Sequence, residues 1–188
     1  MNGGLAKRWG GELELVVVPV EDLLLGINYG YIHGDFDRFA PTCGSAECID
    51  ADRLAKRPNS AGNQFSLTVD YTFAHLDFGD LKGHLAAYWQ DRSYTSALTT
   101  GTFTNSATHT AAVVAYDPTV LDERTLVNAR LSLDRIAVGQ GTMMVALWGK
   151  NIFNQDYNTM TINFATLGPI TQLYGEPRTY GLDVTYEF

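Results

Sequence analysis

Along Tyr174–Phe188 (YGEPRTYGLDVTYEF) a large apolar side chain stands at every second position. Tyr180, Leu182, Val184, Tyr186 and Phe188 fall on one side, and Gly181, Asp183, Thr185 and Glu187 on the other. A period of two is the period of a β-strand with one apolar and one polar face. The same alternation recurs upstream. It spans Gly10 to Val18 with Leu13, Leu15 and Val17 on one face, and Leu23 to Tyr31 with Gly26, Asn28 and Gly30 opposite the large residues. It is cleanest in Phe65, Leu67, Val69, Tyr71 and Phe73, which oppose Ser66, Thr68, Asp70 and Thr72. Leu85, Ala87 and Trp89, then Val127, Ala129, Leu131 and Leu133, and finally Met143 to Phe153 complete a set of seven predicted strands.

The connections alternate in length. Short ones fall near Pro19, Gly79 and Gln140, and long polar ones cover 34 to 61, 95 to 122 and 154 to 173. Pro19 is expected to end the first strand. Strands joined in this rhythm run up and down beside their neighbours, with tight turns on one rim and long loops on the other. The predicted fold is all-β: an antiparallel up-and-down transmembrane β-barrel segment. Aromatics near the strand ends on the apolar face (Tyr29, Tyr31, Phe65, Phe73, Trp89, Tyr180, Tyr186) fit the two interfacial girdles of such a wall.

Composition narrows the alternatives. Hydrophobic residues are 45% of the 188, yet mean hydropathy is only -0.10. No apolar run approaches the ~20 residues of a membrane-spanning helix, whereas alternating strands escape that test because only every second residue meets lipid. A net charge of -8 without any basic stripe argues against a nucleic-acid partner. Met1 to Val20 lacks the basic start and clean apolar core of a signal peptide. A secreted product is therefore expected to have lost its leader, or to continue upstream of this segment. Cys43 and Cys48 (CGSAEC) stand in a polar loop without a His pair nearby, which makes a poor zinc site. A local disulfide in an oxidising compartment is the expected state, and a free thiol pair the alternative.

The closing strand resembles the terminal signature by which outer-membrane barrel proteins are recognised for insertion: Phe188 last, behind Tyr180, Leu182, Val184 and Tyr186. Four segments together resemble the TonB-dependent receptors of the Gram-negative outer membrane. LWGKNIFNQDYN (Leu147 to Asn158) is similar to their penultimate strand and loop start, and YGEPRTYGLDVTYEF to their last strand. RPNSAGNQFSLTVDYTF (Arg57 to Phe73) resembles their entry from a long loop into a strand, and Gly10 to Tyr31 the hairpin before it. The resemblance implies a barrel of about 22 strands closed by an amino-terminal plug. It also implies a location in the cell outer membrane and import of a scarce nutrient, such as an iron-siderophore complex, haem, cobalamin or an oligosaccharide. Its partners would be outer-membrane lipid, the nutrient chelate, the barrel assembly machinery, and TonB through the plug region. Neither a plug nor a TonB box stands in this sequence, so residues 1–188 are expected to be a single-domain portion, the carboxyl-terminal third of such a wall. The alternative is a small stand-alone barrel with a structural or adhesion role, seven strands plus one more.

Chemistry is sparse. His33, His75, His84 and His109 are scattered, and there is no H-E-x-x-H, no G-x-S-x-G and no phosphate-binding glycine loop. Outer-membrane barrel hydrolases exist, and His84 with Asp70 or Asp134 imitates a dyad. Inward polar residues are simply how such walls face a wet lumen, so neither an enzyme nor a cofactor or metal site is expected. Asn128, Arg130, Asp134, Asp70, Lys150 and Asp183 are expected on that inner face, either against a plug or paired with one another. The resemblance makes Tyr94, Phe103, His109, Tyr116, Asn154, Tyr157 and Phe164 the candidate ligand-contacting loop residues, though each also fits ordinary loop packing.

Overall fold

The computed structural model describes residues 4–39, 42–43, 46–47, 58–95, 101–104, 107, 111–114, 120–163 and 170–188. The long strands β1 (Gly4–Val20) and β2 (Leu23–Phe39) make the first hairpin, followed by the two-residue pieces β3 (Thr42–Cys43) and β4 (Ala46–Glu47). β5 (Asn63–Leu76) and β6 (Gly79–Gln90) make the second hairpin. Four short strands come next: β7 (Ser93–Tyr94), β8 (Gly101–Thr104), β9 (Ala111–Val114) and β10 (Val120–Leu121). β11 (Arg124–Val138) and β12 (Gly141–Lys150) form the third hairpin. β13 (Asn158–Asn163), β14 (Ile170–Tyr174) and β15 (Thr179–Glu187) complete the chain, and no helix occurs among the described residues.

The main sheet has seven strands in the order β1-β2-β5-β6-β11-β12-β15, every neighbour antiparallel. Three tight turns, Glu21–Asp22, Asp77–Phe78 and Gly139–Gln140, lie on one rim, and the three long connections lie on the other. β1 and β15 are the two edges, so the sheet is open rather than closed on itself.

Cross-strand partners share a face, which lets the register identify both surfaces. One row runs Leu23, Tyr71, Gly83, Leu131, Leu147, Leu182; another runs Leu25, Val69, Leu85, Ala129, Gly149, Tyr180. Among the described residues nothing packs over that apolar face: Leu147, Leu182 and Val184 are 61%, 65% and 60% exposed. The interleaved rows carry Asn28, Ser66 and Tyr88, then Asp70, His84, Arg130 and Trp148, then Thr72, Lys82, Ser132 and Ala146. Among the described residues the buried hydrophobics are only Ala61, Leu121 and Ala146, so the sheet has no interior core of its own.

The expected boundaries change in physically instructive places. β1 begins at Gly4 rather than Gly10 and runs through Pro19, which sits in the register irregularity between Val17 and Val20. A proline is tolerated there because β1 is an edge strand and the irregularity removes the need for its missing N–H. β2 continues to Phe39 instead of dissolving at Gly34. Among the described strands that extension pairs with β1, past the end of its ladder with β5, where neither face need be apolar, so no alternation marks it. The stretches 95 to 122 and 154 to 173 carry hairpins of their own, β8 with β9 and β13 with β14, and β12 ends at Lys150 rather than Phe153.

Two glycines show why side chains are absent at chosen points. A Cβ on Gly83 would lie 2.5 Å from the Phe73 ring, and one on Gly181 would lie 2.2 Å from the Trp148 indole. Each ring lies against its neighbour's bare backbone, as in aromatic rescue. We expect Gly181→Val to lift the Trp148 indole off β15 and to destabilise the wall by about 1–3 kcal/mol, the usual cost of overpacking. A shift of the Trp148 emission with a lowered melting temperature in detergent would establish this; an unchanged spectrum would refute it.

Candidate functional site

The polar face carries charge in pairs. The Arg130 guanidinium donates to Asp183 Oδ2 over 2.7 Å, and the Trp148 indole N–H donates to Asp183 Oδ1 over 3.0 Å. Lys82 reaches Asp134 at 3.1 Å, while His84 Nδ1 lies 2.7 Å from Asp70 Oδ1. Lys150, with its ammonium 5.8 Å from the Trp148 ring centre, sits on the same side. Asn128 accepts the Asn151 backbone N–H at 3.0 Å. The six residues expected on the inner face therefore share one face; Arg130 and Asp183 pair with each other there, and the others meet Lys82, His84, Trp148 and Asn151. A cleft of about 550 Å³ opens among Asp70, Lys82, His84, Arg130, Ser132 and Asp134. The His84–Asp70 contact is a pair without a third member, since no nucleophilic hydroxyl bonds to His84 among the described residues.

The long-loop rim is built differently, around amides and the Arg124 guanidinium. Arg124 opens β11 beneath the loops, where its Nη2 donates to Gln90 Oε1 at 3.1 Å and its Nη1 to the Asn158 carbonyl at 3.4 Å. Its guanidinium carbon lies 5.2 Å from the Tyr157 ring centre, a cation–π contact, and its buried Nε has no hydrogen-bond partner. Gln90, itself buried, also accepts the Tyr88 hydroxyl at 2.7 Å. Asn63 accepts the Tyr29 hydroxyl and donates to Asp91, both at 2.6 Å. Neighbouring strands are thus stitched together just where their ladders end.

A second knot surrounds Asn151, which is 5% exposed and holds a left-handed backbone with φ 47. Its amide donates to the carbonyls of Gln155 and Glu176 at 2.9 and 3.1 Å, and its Oδ1 accepts the Gln155 N–H at 2.9 Å. Asn suits the position because its short side chain both tolerates a positive φ and satisfies nearby backbone. Gln155 in turn accepts the Thr125 N–H at 2.6 Å. The knot fixes the route by which the chain leaves β12 and enters β15.

The candidate ligand residues separate on this frame. Asn154 (φ 53) caps the approach to β15 by accepting the Arg178 N–H at 3.2 Å, and Tyr94 pairs with Val120 while its carbonyl accepts from Asn59. Tyr157 lies under Arg124, and its ring occupies the space where a Gly175 side chain would stand. His109, Tyr116, Phe164 and the side chain of Phe103 lie outside the described residues, as do Cys48 and the side chain of Cys43, whose pairing is an expectation from sequence only. Tyr180, Leu182, Val184 and Tyr186 line the apolar face of the last strand, with Phe188 fully exposed 6.3 Å from Tyr186, ring to ring. Arg124 and the Asn151 knot were not singled out in the sequence. Their signal, an arginine at a strand start and an N-x-x-N-Q run, gains meaning only once β6, β11 and β15 are neighbours.

No protein-family model matches the chain, and no curated protein matches it in sequence. Solved structures do. The fold is similar to that of the ferric yersiniabactin uptake receptor FyuA from Yersinia pestis, with a TM-score of 0.69 at 16% identity over 100% of this chain and 24% of that one. It is also similar to the outer-membrane ferripyoverdine receptor of Pseudomonas aeruginosa bound to ferripyoverdine, with a TM-score of 0.57 at 18% identity over 95% of this chain and 19% of that one. The receptor of the FpvAI–pyocin S2 complex matches with 0.57 and 19% over 96% and 19%. At such identities the likeness is one of fold, and the chain spans a quarter or less of the length of these structures.

Replacing Asn151 with Ala should leave three backbone groups unpaired and remove the short polar side chain that lets this position tolerate a positive φ, a local loss of about 2–4 kcal/mol. Trypsin cleavage at Lys150 and Arg178 in the detergent-held protein is then expected to accelerate at least several-fold. Asn151→Gly, which relieves the backbone but not the lost bonds, should recover only part of that resistance; full recovery would mean that the amide contributes nothing.

Proposed function

We propose that this sheet is part of the wall of an outer-membrane, TonB-dependent receptor that binds and imports a scarce nutrient, an iron-siderophore complex being the leading candidate ahead of haem, cobalamin or an oligosaccharide. The observation that carries the proposal is the uncovered apolar face on a sheet whose fold matches, over its full length, about a quarter of a siderophore uptake receptor.

Physical chemistry supports it. Unpaired in water, a contiguous apolar face of seven strands is far larger than the few hundred Å² that soluble monomers tolerate, whereas lipid is its natural solvent. Between Phe65 and Phe73 the aliphatic band of β5 is about 26 Å long, or about 20 Å high at a tilt of ~40°, close to the ~25 Å band of outer-membrane barrels. Rows of Tyr29, Phe65 and Trp89 at one end, with Tyr71, Phe73 and Tyr186 at the other, supply the aromatic girdles. The charge pairs and clefts of the opposite face belong to a wet lumen, where a plug domain upstream of this segment would rest and would carry the contact with TonB.

Strand parity rules out closure by these seven strands alone. With seven antiparallel strands, β1 and β15 run in the same direction, so neither edge can close on the other in an up-and-down ring. An odd number of further strands is required. We assign no catalysis to the His84–Asp70 pair, whose place on the polar face is that of a hydrogen-bonded lumen contact. In this proposal the barrel assembly machinery engages the last strand through Tyr186 and Phe188.

The complete protein, purified in detergent, should bind one ferric chelate, haem or cobalamin, read as quenching of intrinsic tryptophan emission. The isolated 188-residue chain should require detergent to stay dispersed. Failure of every ligand, together with a monodisperse, cooperatively melting 188-residue monomer in plain buffer, would overturn the receptor proposal.

A further inference from the structure

The short-turn rim carries a charge cluster that neither the wall nor the loops use. It lies beyond Phe73, outside the aliphatic band. His75 of β5 faces a carboxylate with each ring nitrogen: Nε2 is 3.0 Å from Asp22 Oδ2 in the β1–β2 turn, and Nδ1 is 2.8 Å from Asp80 Oδ1 at the start of β6. The Asp80 side chain, only 5% exposed, is also ion-paired to Arg135, which holds φ 60 in the bulge of β11. One histidine therefore joins two turns, and the buried carboxylate extends the connection to a third hairpin.

The geometry fixes the protonation state. An ionised carboxylate only accepts hydrogen bonds, so both nitrogens of His75 must donate, which only the imidazolium can do. We propose that Asp22, His75, Asp80 and Arg135 form a proton-operated fastening: it straps the β1–β2 turn to the β5–β6 turn when His75 carries both ring protons, and releases the Asp22 side chain when one is lost. Asp80 is the partner that stays. Being buried, it costs more to leave facing a bare nitrogen lone pair than the partly exposed Asp22 does, so the remaining ring proton belongs on Nδ1. Asp22 then meets a lone pair and turns to water. The turn itself survives, because the Asp22 carbonyl still accepts the Thr72 N–H at 3.0 Å.

Other charges on the packed elements are Glu21 in the first turn, Asp77 in the second, and Lys82 paired with Asp134 on β6 and β11. Counting Asp22, Asp80 and Arg135 with them, five carboxylates outnumber two permanent cations, which favours the added proton. Hydrogen bonding to Asp80 and then to Asp22, with the charge of Asp22, raises the His75 pKa above its ordinary value, against a smaller opposing effect of burial. Arg135 first and His75 second hold the Asp80 carboxyl below the usual carboxylate range. The signs set the window. Stabilisation from His75 is complete below its ordinary value of about 6.5 and is lost as pH rises through its raised folded value; that from Asp80 is present above the ordinary carboxylate range and is lost as pH falls through its depressed value.

The test uses the complete protein in detergent with ¹⁵N-labelled histidine, His75 being assigned by the signal missing in His75→Gln. Its imidazole should titrate above about 6.5, and Asp22→Asn, which keeps a residue suited to the left-handed turn, should lower that midpoint. Amide exchange of residues 20–24, corrected for intrinsic rates, should rise several-fold between about pH 5.5 and about pH 8.5 in the unaltered protein and stay flat in Asp22→Asn. A midpoint at or below about 6.5, or the same exchange ratio in both proteins, would overturn the fastening. None of these readouts depends on ligand binding, so they stand apart from the receptor proposal.

Discussion

A row such as Leu23, Tyr71, Gly83, Leu131, Leu147, Leu182 crosses six strands without changing face, and this continuity is what the sheet depends on. A slip of one residue in any pair would turn that strand's apolar side chains to the polar side and bring its Asp, Arg or His residues to the apolar one. Burying a core cannot enforce the register here, because the described residues contain almost none. The ladders, the tight turns and the side-chain ties at both rims must hold it instead. Asn63 with Asp91, Arg124 with Gln90 and the Asn151 amide hold the loop side; His75 with Asp22 and Asp80 holds the turn side.

The ion pairs of the polar face contribute less to stability than their number suggests. Arg130 and Asp183 are about a third or more exposed, and so are His84 and Asp70. Solvent screens contacts in that environment, so each contributes little. Their effect is on specificity: the Asp183 carboxylate on β15 meets donors on β11 and β12 only in the observed register. Asp183 receiving both Arg130 and Trp148 is the clearest case, because the indole can reach it only while Gly181 leaves room for the ring.

Strand identity, the seven-strand order and the face of each alternating residue were legible in the sequence because period two carries all three. Bulges erase that legibility. Counting by twos from Tyr71 and Phe73 puts His75 on the apolar face, but the irregularity between Thr72 and Ala74 turns it to the side of Asp80, where it becomes the centre of a cluster. The projecting part of the first hairpin was hidden for another reason: Lys7 pairs with Asp37 at 2.8 Å and His33 with Asp35 at 3.1 Å, so polar residues replace the apolar period while the ladder continues. Arg124 and Asn151 were invisible because each joins elements distant in sequence, Gln90 with Asn158 in one case and Gln155 with Glu176 in the other.

The two bulges also explain how the turn rim gathers its titratable groups. A bulge leaves one residue without a ladder partner and increases the local twist. At Phe73 the extra residue is aromatic and covers Gly83; between Leu133 and Ile136 the extra residues are Asp134 and Arg135, whose side chains turn toward Lys82 and Asp80. Each strand therefore reaches the rim with its faces exchanged relative to its middle, and polar residues that plain alternation would place on the apolar face arrive over the turns. The same local defect that ends the apolar band thus assembles the charges beyond it.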